Sequence, residues 1–328
     1  MFRQTKRYIS LICSLSFGLI FSFVFARLGY SFALASSPES IAQASEAGSV
    51  AQINLLQAIV LGFVQGATEF IPISSTAHLK AVPVFFGWGD PGVSFTAVIQ
   101  LGSVAAVLSY FWSDLTQITK GMIKAVRTSD YDSQDFWLAV GIAVGTIPIV
   151  VLGLLLKVLE PAFYENTLRS MPSIAIVSIV MALMLALAES VGNQKRNFKD
   201  LTVKDGIIVG LAQALAIIPG VSRSGSTMTA GLFNNLDRAT AARFSFLLGI
   251  PAILLSGLVE LRELLSPVAG ESFALLPLIG GLISSAIFSY LAIAWLLEFL
   301  KRRSTWVFVW YRLGFGVFIL AAVALGWV

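Results

Sequence analysis

The sequence predicts an all-α membrane protein: a polytopic bundle of about six spans plus two re-entrant helix-loop-helix pairs in inverted repeats, with an extra N-terminal hydrophobic segment. Three observations predict it. The chain is 57% hydrophobic and only 12% charged, with a mean hydropathy of +0.84, whereas a soluble domain carries roughly 25% charged residues. Two apolar regions are broken by proline, glycine and hydroxyl clusters, at 72–76 and 219–227. The two halves also match each other at a nearly constant offset. A chain of 328 residues has room for about seven or eight spans of ~20 residues. Its net charge of +4 sits in connections, so it speaks to topology and not to nucleic acid. One cysteine, Cys13, excludes a disulfide framework or a thiolate metal site.

Taken in order, residues 1–52 form a signal peptide or signal anchor followed by a polar linker. Arg3, Lys6 and Arg7 precede an apolar run from Tyr8 to Phe25, and Ala33-Leu34-Ala35 resembles a cleavage site. Arg27 and the long gap before Ala35 fit a retained anchor equally well. The membrane domain spans 53–328. Residues 53–71 are long enough for one helix, but Pro72 and Ser74-Ser75-Thr76 stop it, and 77–87 are too short to cross. We expect 53–87 to enter and leave on one side. Spans follow at about 93–112, 136–157 and 171–190. A second interrupted pair, about 206–234, surrounds Pro219-Gly220, and spans at about 240–262, 274–299 and 306–327 complete the chain. Trp88, Trp112, Trp137, Trp306 and Trp327 fall near span ends, as an interfacial belt requires.

The repeats are about 53–190 and 206–328. Gly62, Gln65 and Ser74 have counterparts Gly210, Gln213 and Ser222, each 148 residues later. Leu101-Gly102-x-x-Ala105-x-x-Leu108-Ser109 matches Leu248-Gly249-x-x-Ala252-x-x-Leu255-Ser256 at an offset of 147. One re-entrant pair and three spans make an odd number of crossings, so the second repeat is expected upside down. Such repeats bring broken helices together near the midplane.

Ionisable groups at bilayer depth mark functional sites by default. The first break holds Glu69 and His78, the only histidine, with Ser74, Ser75 and Thr76. The second reads Pro219-Gly-Val-Ser-Arg-Ser-Gly-Ser-Thr227, a lone Arg223 among hydroxyls. Guanidinium holds phosphate oxygens bidentately, and Gly220 and Gly225 let backbone N–H groups approach an anion. The two breaks are expected to meet in one anion-handling site. Asp114, Asp132, Asp135, Glu160, Glu165 and Glu189 read as solvated, and Glu260, Arg262 and Glu263 as an interfacial cluster. No Walker loop, dinucleotide fingerprint or zinc-ligand spacing is present.

These motifs resemble the integral-membrane undecaprenyl-diphosphate phosphatases of the bacitracin-resistance type. The family's first motif is Glu or Gln, three residues, Glu, and then Pro-x-Ser-Ser-Thr-x-His. Here it is Gln65-x-x-x-Glu69 and Pro72-Ile73-Ser74-Ser75-Thr76-Ala77-His78. The second, Pro-Gly-x-Ser-Arg-Ser-x-x-Thr, is Pro219 to Thr227. The resemblance covers about 53–328. Gln65 stands where glutamate is commoner, and Ala77 where glycine is usual. The resemblance implies hydrolysis of undecaprenyl diphosphate to undecaprenyl phosphate and inorganic phosphate, recycling a carrier for envelope polysaccharides. It implies Glu69, Ser75, His78 and Arg223 as catalytic residues. Gln65, Ser74, Thr76, Gly220, Ser222, Ser224 and Thr227 would bind substrate, and Glu69 would hold Mg²⁺ or Ca²⁺. Ser75 is the expected nucleophile with His78 as general base and acid; attack by His78, or by water activated by Glu69, is the rival. A lipid-carrier flippase is the alternative function, and a homodimer is a further expectation.

Lys120, Lys124 and Arg127, then Lys195, Arg196, Lys199 and Lys204, then Lys301, Arg302 and Arg303 mark three basic connections. The positive-inside rule puts them in the cytoplasm. Glu69 and His78 then dip in from the extracytoplasmic side of a bacterial inner membrane.

Overall fold

A computed structural model describes residues 53–89, 91–129, 131–159, 164–264 and 274–327. The expected N-terminal segment and linker, and Glu160, lie outside the described residues, as do the side chains of Glu165, Glu260, Arg262 and Glu263. Among the described residues eleven α-helices carry the fold, and β structure is confined to one isolated bridge between Arg196 and Leu236.

The first half holds α1 (Leu55–Glu69), α2 (Ser75–Phe85), α3 (Gly92–Tyr110), α4 (Trp112–Thr128), α5 (Gln134–Leu159) and α6 (Met171–Val191). The second holds α7 (Val203–Ala214), α8 (Arg223–Phe233), α9 (Arg238–Leu264), α10 (Leu275–Arg302) and α11 (Trp306–Ala324). Among the described residues five helices, α5, α6, α9, α10 and α11, are long and apolar enough to cross a membrane, and a sixth span results if bent α3–α4 is counted as one. The protein is therefore a multi-pass membrane protein.

Local chemistry sets the breaks. Asn54 opens α1 with a reciprocal cap: its Oδ1 accepts from the Gln57 N–H at 3.0 Å, and its own N–H donates to Gln57 Oε1 at 2.9 Å. Pro72 disfavours helical backbone at the residue before it, and α1 stops at Glu69. In the second half α7 tightens into a 3₁₀ turn at Leu215–Ile217 before Pro219.

The halves embrace each other. α1 packs on α10 and α7 on α5; α3 also meets α10, while α9 meets α5. Small residues allow the close approach. A Cβ at Gly62 would collide with the Gly281 carbonyl, and one at Gly210 with the Gly145 backbone. The lead helix of each half is thus held by a helix of the other.

Two sequence expectations change. The stretch 113–135, expected as a connection, contains α4, which bends 66° away from α3. Its lysines and arginine mark a polar region, yet Ile118 and Ala125 fall on one helical face and are buried. Asp114 and Glu189 are not simply solvated. Asp114 pairs with Arg243, whose guanidinium also lies 4.3 Å from the Phe198 ring centre. Glu189 is buried, pairs with Arg238, and accepts from Thr305 Oγ1 at 2.8 Å.

Candidate active site

Both breaks resume helix the same way. Ser74 and Ser222, the residues matched at an offset of 148, precede α2 and α8 with φ of 76° and 69°. A side chain in this left-handed region costs about 1–3 kcal/mol unless the surroundings impose it. The kink turns each new helix so that its N-terminal residues meet those of the other. Ser222 Oγ accepts from the Gly225 N–H at 3.1 Å, and Ser224 Oγ donates to the Ile71 carbonyl across the junction at 3.2 Å.

A cavity of about 220 Å³ lies between the breaks. Glu69, Ser74, Ser75 and Thr76 line it from one side, and Gly220, Ser222 and Arg223 from the other. The starts of α2 and α8 therefore both border it. Helix starts carry unpaired N–H groups and the positive end of the macrodipole, which suits an anion.

Glu69 is the hub. Its Oε2 accepts from Ser75 Oγ at 2.6 Å and from Gln65 Nε2 at 3.1 Å. Its Oε1 accepts from Arg223 Nη2 at 3.1 Å, in an ion pair with both side chains 12% exposed. Arg223 Nη1 donates to the Gly249 carbonyl at 3.1 Å, and a Cβ at Gly249 would strike this guanidinium.

Apart from His78, the expected site residues divide into two groups. Glu69, Ser75 and Arg223 come together at the cavity with Ser74, Thr76, Gly220 and Ser222. Gln65, Ser224 and Thr227 stand behind it and are not cavity-lining groups. Gln65 is 2% exposed and braces Glu69, held itself by Ser103 Oγ at 3.4 Å. Thr227 is fully buried, with its hydroxyl on the Arg223 carbonyl at 2.7 Å and on Ser245 Oγ. Ala216 and Ile218 beside the second break, Gln100 of α3, Ile149 of α5 and Ala252, Ile253 and Ser256 of α9 complete the lining.

His78 is not paired with Ser75. Its Nδ1 lies 2.8 Å from the Ser74 carbonyl and its Nε2 2.6 Å from Tyr311 Oη. The ring stacks on Phe315 at 4.3 Å between centres. In this arrangement the group that receives the Ser75 hydroxyl is Glu69. Spacing alone would let the i,i+3 pair meet, but the Ser74 carbonyl, Tyr311 and Phe315 hold the His78 ring against α11.

Sequence reasoning missed what α11 brings. Beside Tyr311, Arg312 is fully buried and has no carboxylate partner among the described residues. Its Nη2 donates to the Gly220 carbonyl at 2.7 Å and to Val221 at 3.1 Å. Its Nη1 reaches Val221 at 3.1 Å and Pro72 at 3.2 Å, and its Nε reaches Ser178 at 3.3 Å. An arginine amid the apolar run 306–327 was the available signal.

Among the described residues no cluster of three or more His, Cys, Asp or Glu forms a protein cage for a metal. The donors that exist are one carboxylate, Glu69, and neighbouring hydroxyl oxygens. Magnesium commonly uses one or two carboxylates together with water and substrate phosphates. The residues fit a cation shared with a phosphorylated ligand.

The family model described as bacitracin resistance protein BacA matches residues 58–318. An undecaprenyl-diphosphatase of Synechocystis sp. is 67% identical over 274 residues, covering 84% of each chain. One of Nostoc sp. is 63% identical over 277 residues, covering 84% of this chain and 86% of the relative. One of Trichodesmium erythraeum is 58% identical over 275 residues, covering 84% and 88%.

Proposed function

The chain belongs to the bacitracin resistance protein BacA family, and on that premise we propose that it hydrolyses undecaprenyl diphosphate to undecaprenyl phosphate and inorganic phosphate. The observation that carries the reading is the Ser75–Glu69–Arg223 chain at the cavity. A transporter would need the arginine, but it has no use for a hydroxyl poised on a carboxylate.

Phosphoryl transfer demands positioning and charge stabilisation more than covalent chemistry. Ser75 Oγ attacks the terminal phosphorus while its proton passes to Glu69 Oε2. The bond from that phosphorus to the bridging oxygen breaks, and undecaprenyl phosphate leaves with the bridging oxygen. Water then attacks the phosphoserine, Ser75 Oγ regains a proton, and inorganic phosphate departs. Arg223 and the N–H groups opening α2 and α8 face the charge that builds on the transferred group. Gln65 holds Glu69 in register. His78 supports the loop through the Ser74 carbonyl. Glu69 would hold Mg²⁺ or Ca²⁺ together with the diphosphate, and the ion would neutralise phosphate oxygens.

The reading includes a bacterial inner membrane and an extracytoplasmic opening. In support, Gln100 lies nearer Gly92 than Tyr110, Ile149 nearer Leu159 than Gln134, and Ser256 nearer Leu264 than Arg238. The cavity thus favours the helix ends remote from Lys120, Lys124, Arg127 and Lys195–Lys204, which the positive-inside rule assigns to the cytoplasm. A homodimer belongs to the same reading, with light scattering of the detergent-solubilised protein as its test.

The deciding experiment is phosphate release from undecaprenyl diphosphate by purified protein in detergent, before and after chelation. Turnover that chelator removes and Mg²⁺ or Ca²⁺ restores is expected. Lipid translocation in vesicles without phosphate release would favour the flippase.

A further inference from the structure

Arg312 makes five hydrogen bonds to four carbonyls and none to an acid among the described residues. Those carbonyls belong to three separate stretches: Pro72 in the first break, Gly220 and Val221 in the second, and Ser178 within α6. A planar guanidinium can bind divergent acceptors at once, whereas an ammonium cannot hold that fork. A buried cation without a counter-ion is costly, so the retained charge calls for a function.

We propose that Arg312 is a positioning residue for phosphoryl transfer, which aims the backbone N–H of Ser222 into the cavity and ties the first break to the second. The inference rests on the hydrolase reading and adds a residue to it. In a trans peptide the N–H points opposite to the C=O. With the Val221 carbonyl drawn onto Arg312, the Ser222 N–H faces away from the guanidinium, and Ser222 lines the cavity. Gly220 adopts φ of 94°, which lets its carbonyl turn to Arg312. The Pro72 carbonyl anchors the first break to the same fork, two residues before Ser74. One side chain thus sets the relative placement of Ser75 and Arg223.

The charge has a second consequence. Before any cation binds, Glu69 offsets one of the arginines Arg223 and Arg312, leaving these protein groups one positive charge in excess. A diphosphate supplies the missing anion. Gly225 completes the device: a Cβ there would stand 2.7 Å from Arg312 Nη1, so this position must stay bare for the guanidinium to reach the breaks.

The test compares Arg312→Lys, Gly225→Ala and the double variant by kcat, KM, thermal melting and calorimetric binding of inorganic phosphate. Arg312→Lys should melt cooperatively yet lose about a hundredfold in kcat, the scale of a lost oxyanion donor, with KM within about threefold. Phosphate should bind about tenfold more weakly in both single variants. Because both substitutions displace the same guanidinium, the double variant should be no worse than Arg312→Lys. Wild-type kcat and phosphate affinity in either folded variant, or additive losses in the double, would overturn the proposal. Should Arg312→Lys not fold, Gly225→Ala decides alone. Phosphate binding requires no turnover, which separates the two ideas: a wild-type chain that binds phosphate but releases none from the lipid sinks the hydrolase reading alone. Unchanged phosphate binding in the variants sinks this one.

Discussion

Glu69→Gln keeps the shape of the side chain and removes its charge, which makes it the most searching perturbation of the site. Three hydrogen bonds converge on the carboxylate, at 2.6 Å from Ser75, 3.1 Å from Gln65 and 3.1 Å from Arg223. An amide can accept at only one of its two ends, so either Arg223 alone, or Ser75 and Gln65 together, meet an NH₂ group. Loss of a general base typically costs about 10²–10⁴ in rate, so turnover should fall at least about a hundredfold, or about 2.7 kcal/mol in the barrier. Leaving Arg223 buried without its counter-ion should also destabilise the fold, by up to about 3–5 kcal/mol. Activity must therefore be normalised to folded protein. Glu69→Asp withdraws the carboxylate by roughly 1.5 Å and should fail nearly as badly, because the Ser75 contact is lost. Phosphate release in detergent is the assay. Glu69→Gln within tenfold of wild type, alongside an inactive Ser75→Ala, would refute the assignment of the base. Substantial activity in Ser75→Ala would instead make water the nucleophile.

Four further outcomes are expected. His78→Phe keeps the stack on Phe315 but loses two hydrogen bonds, worth about 1 kcal/mol each, so turnover should fall no more than about thirtyfold; a loss matching Glu69→Gln would return the histidine to the chemistry. Gly62→Ala and Gly210→Ala force a methyl onto backbone of the opposite half and should cost about 1–3 kcal/mol each, read as a lowered melting temperature, whereas Gly314→Ala meets nothing within 4 Å and should be neutral. Asp205 has its pKa lowered: burial pushes it up, but hydrogen bonds from Arg196 and Thr202 outweigh that. Its contribution to stability is full above the ordinary carboxylate pKa of about 3.9 and drains away as pH falls through the lower folded value, so Asp205→Asn should flatten the acid end of a melting-temperature profile. Cysteines at Thr76 and Phe86, both exposed, should react with an impermeant thiol reagent outside spheroplasts once Cys13 is replaced; labelling only after permeabilisation would reverse the proposed orientation. Ala77 is fully buried and unsuited to that purpose.

Which residues were legible follows from how they stand out. Glu69, Ser75 and Arg223 are costly polar groups in apolar surroundings, and Pro72 and Pro219 are breaks that backbone chemistry makes visible. The pairing of Ser75 with Glu69 instead of His78 was not legible, because adjacent hydroxyls differ only in the direction a helix start gives them. Tyr311 meets His78 across 233 positions of chain, a contact no local pattern encodes. Arg312 was hidden in a span rich in tryptophan and tyrosine, where an arginine passes for an interfacial anchor. α4 was hard to see because Lys120, Lys124 and Arg127 mark a polar connection by charge, while only the seven-residue spacing of Ile118 and Ala125 points to a buried helical face.

The crossed packing of the halves also bears on how the molecule is made. The ribosome delivers α1 long before α10, so Gly62 and Gly66 must wait in the membrane for the backbone of Gly281 and Ser285. The carbonyls of Pro72, Gly220 and Val221 wait longer still, for Arg312 on α11. Until that helix inserts, the breaks have each other but not the guanidinium that ties them, and a chain truncated before residue 306 would hold every cavity-lining side chain without that tie. The site therefore assembles only once α11 is in place, and a copy that lacks α11 would hold those carbonyls without the guanidinium that satisfies them.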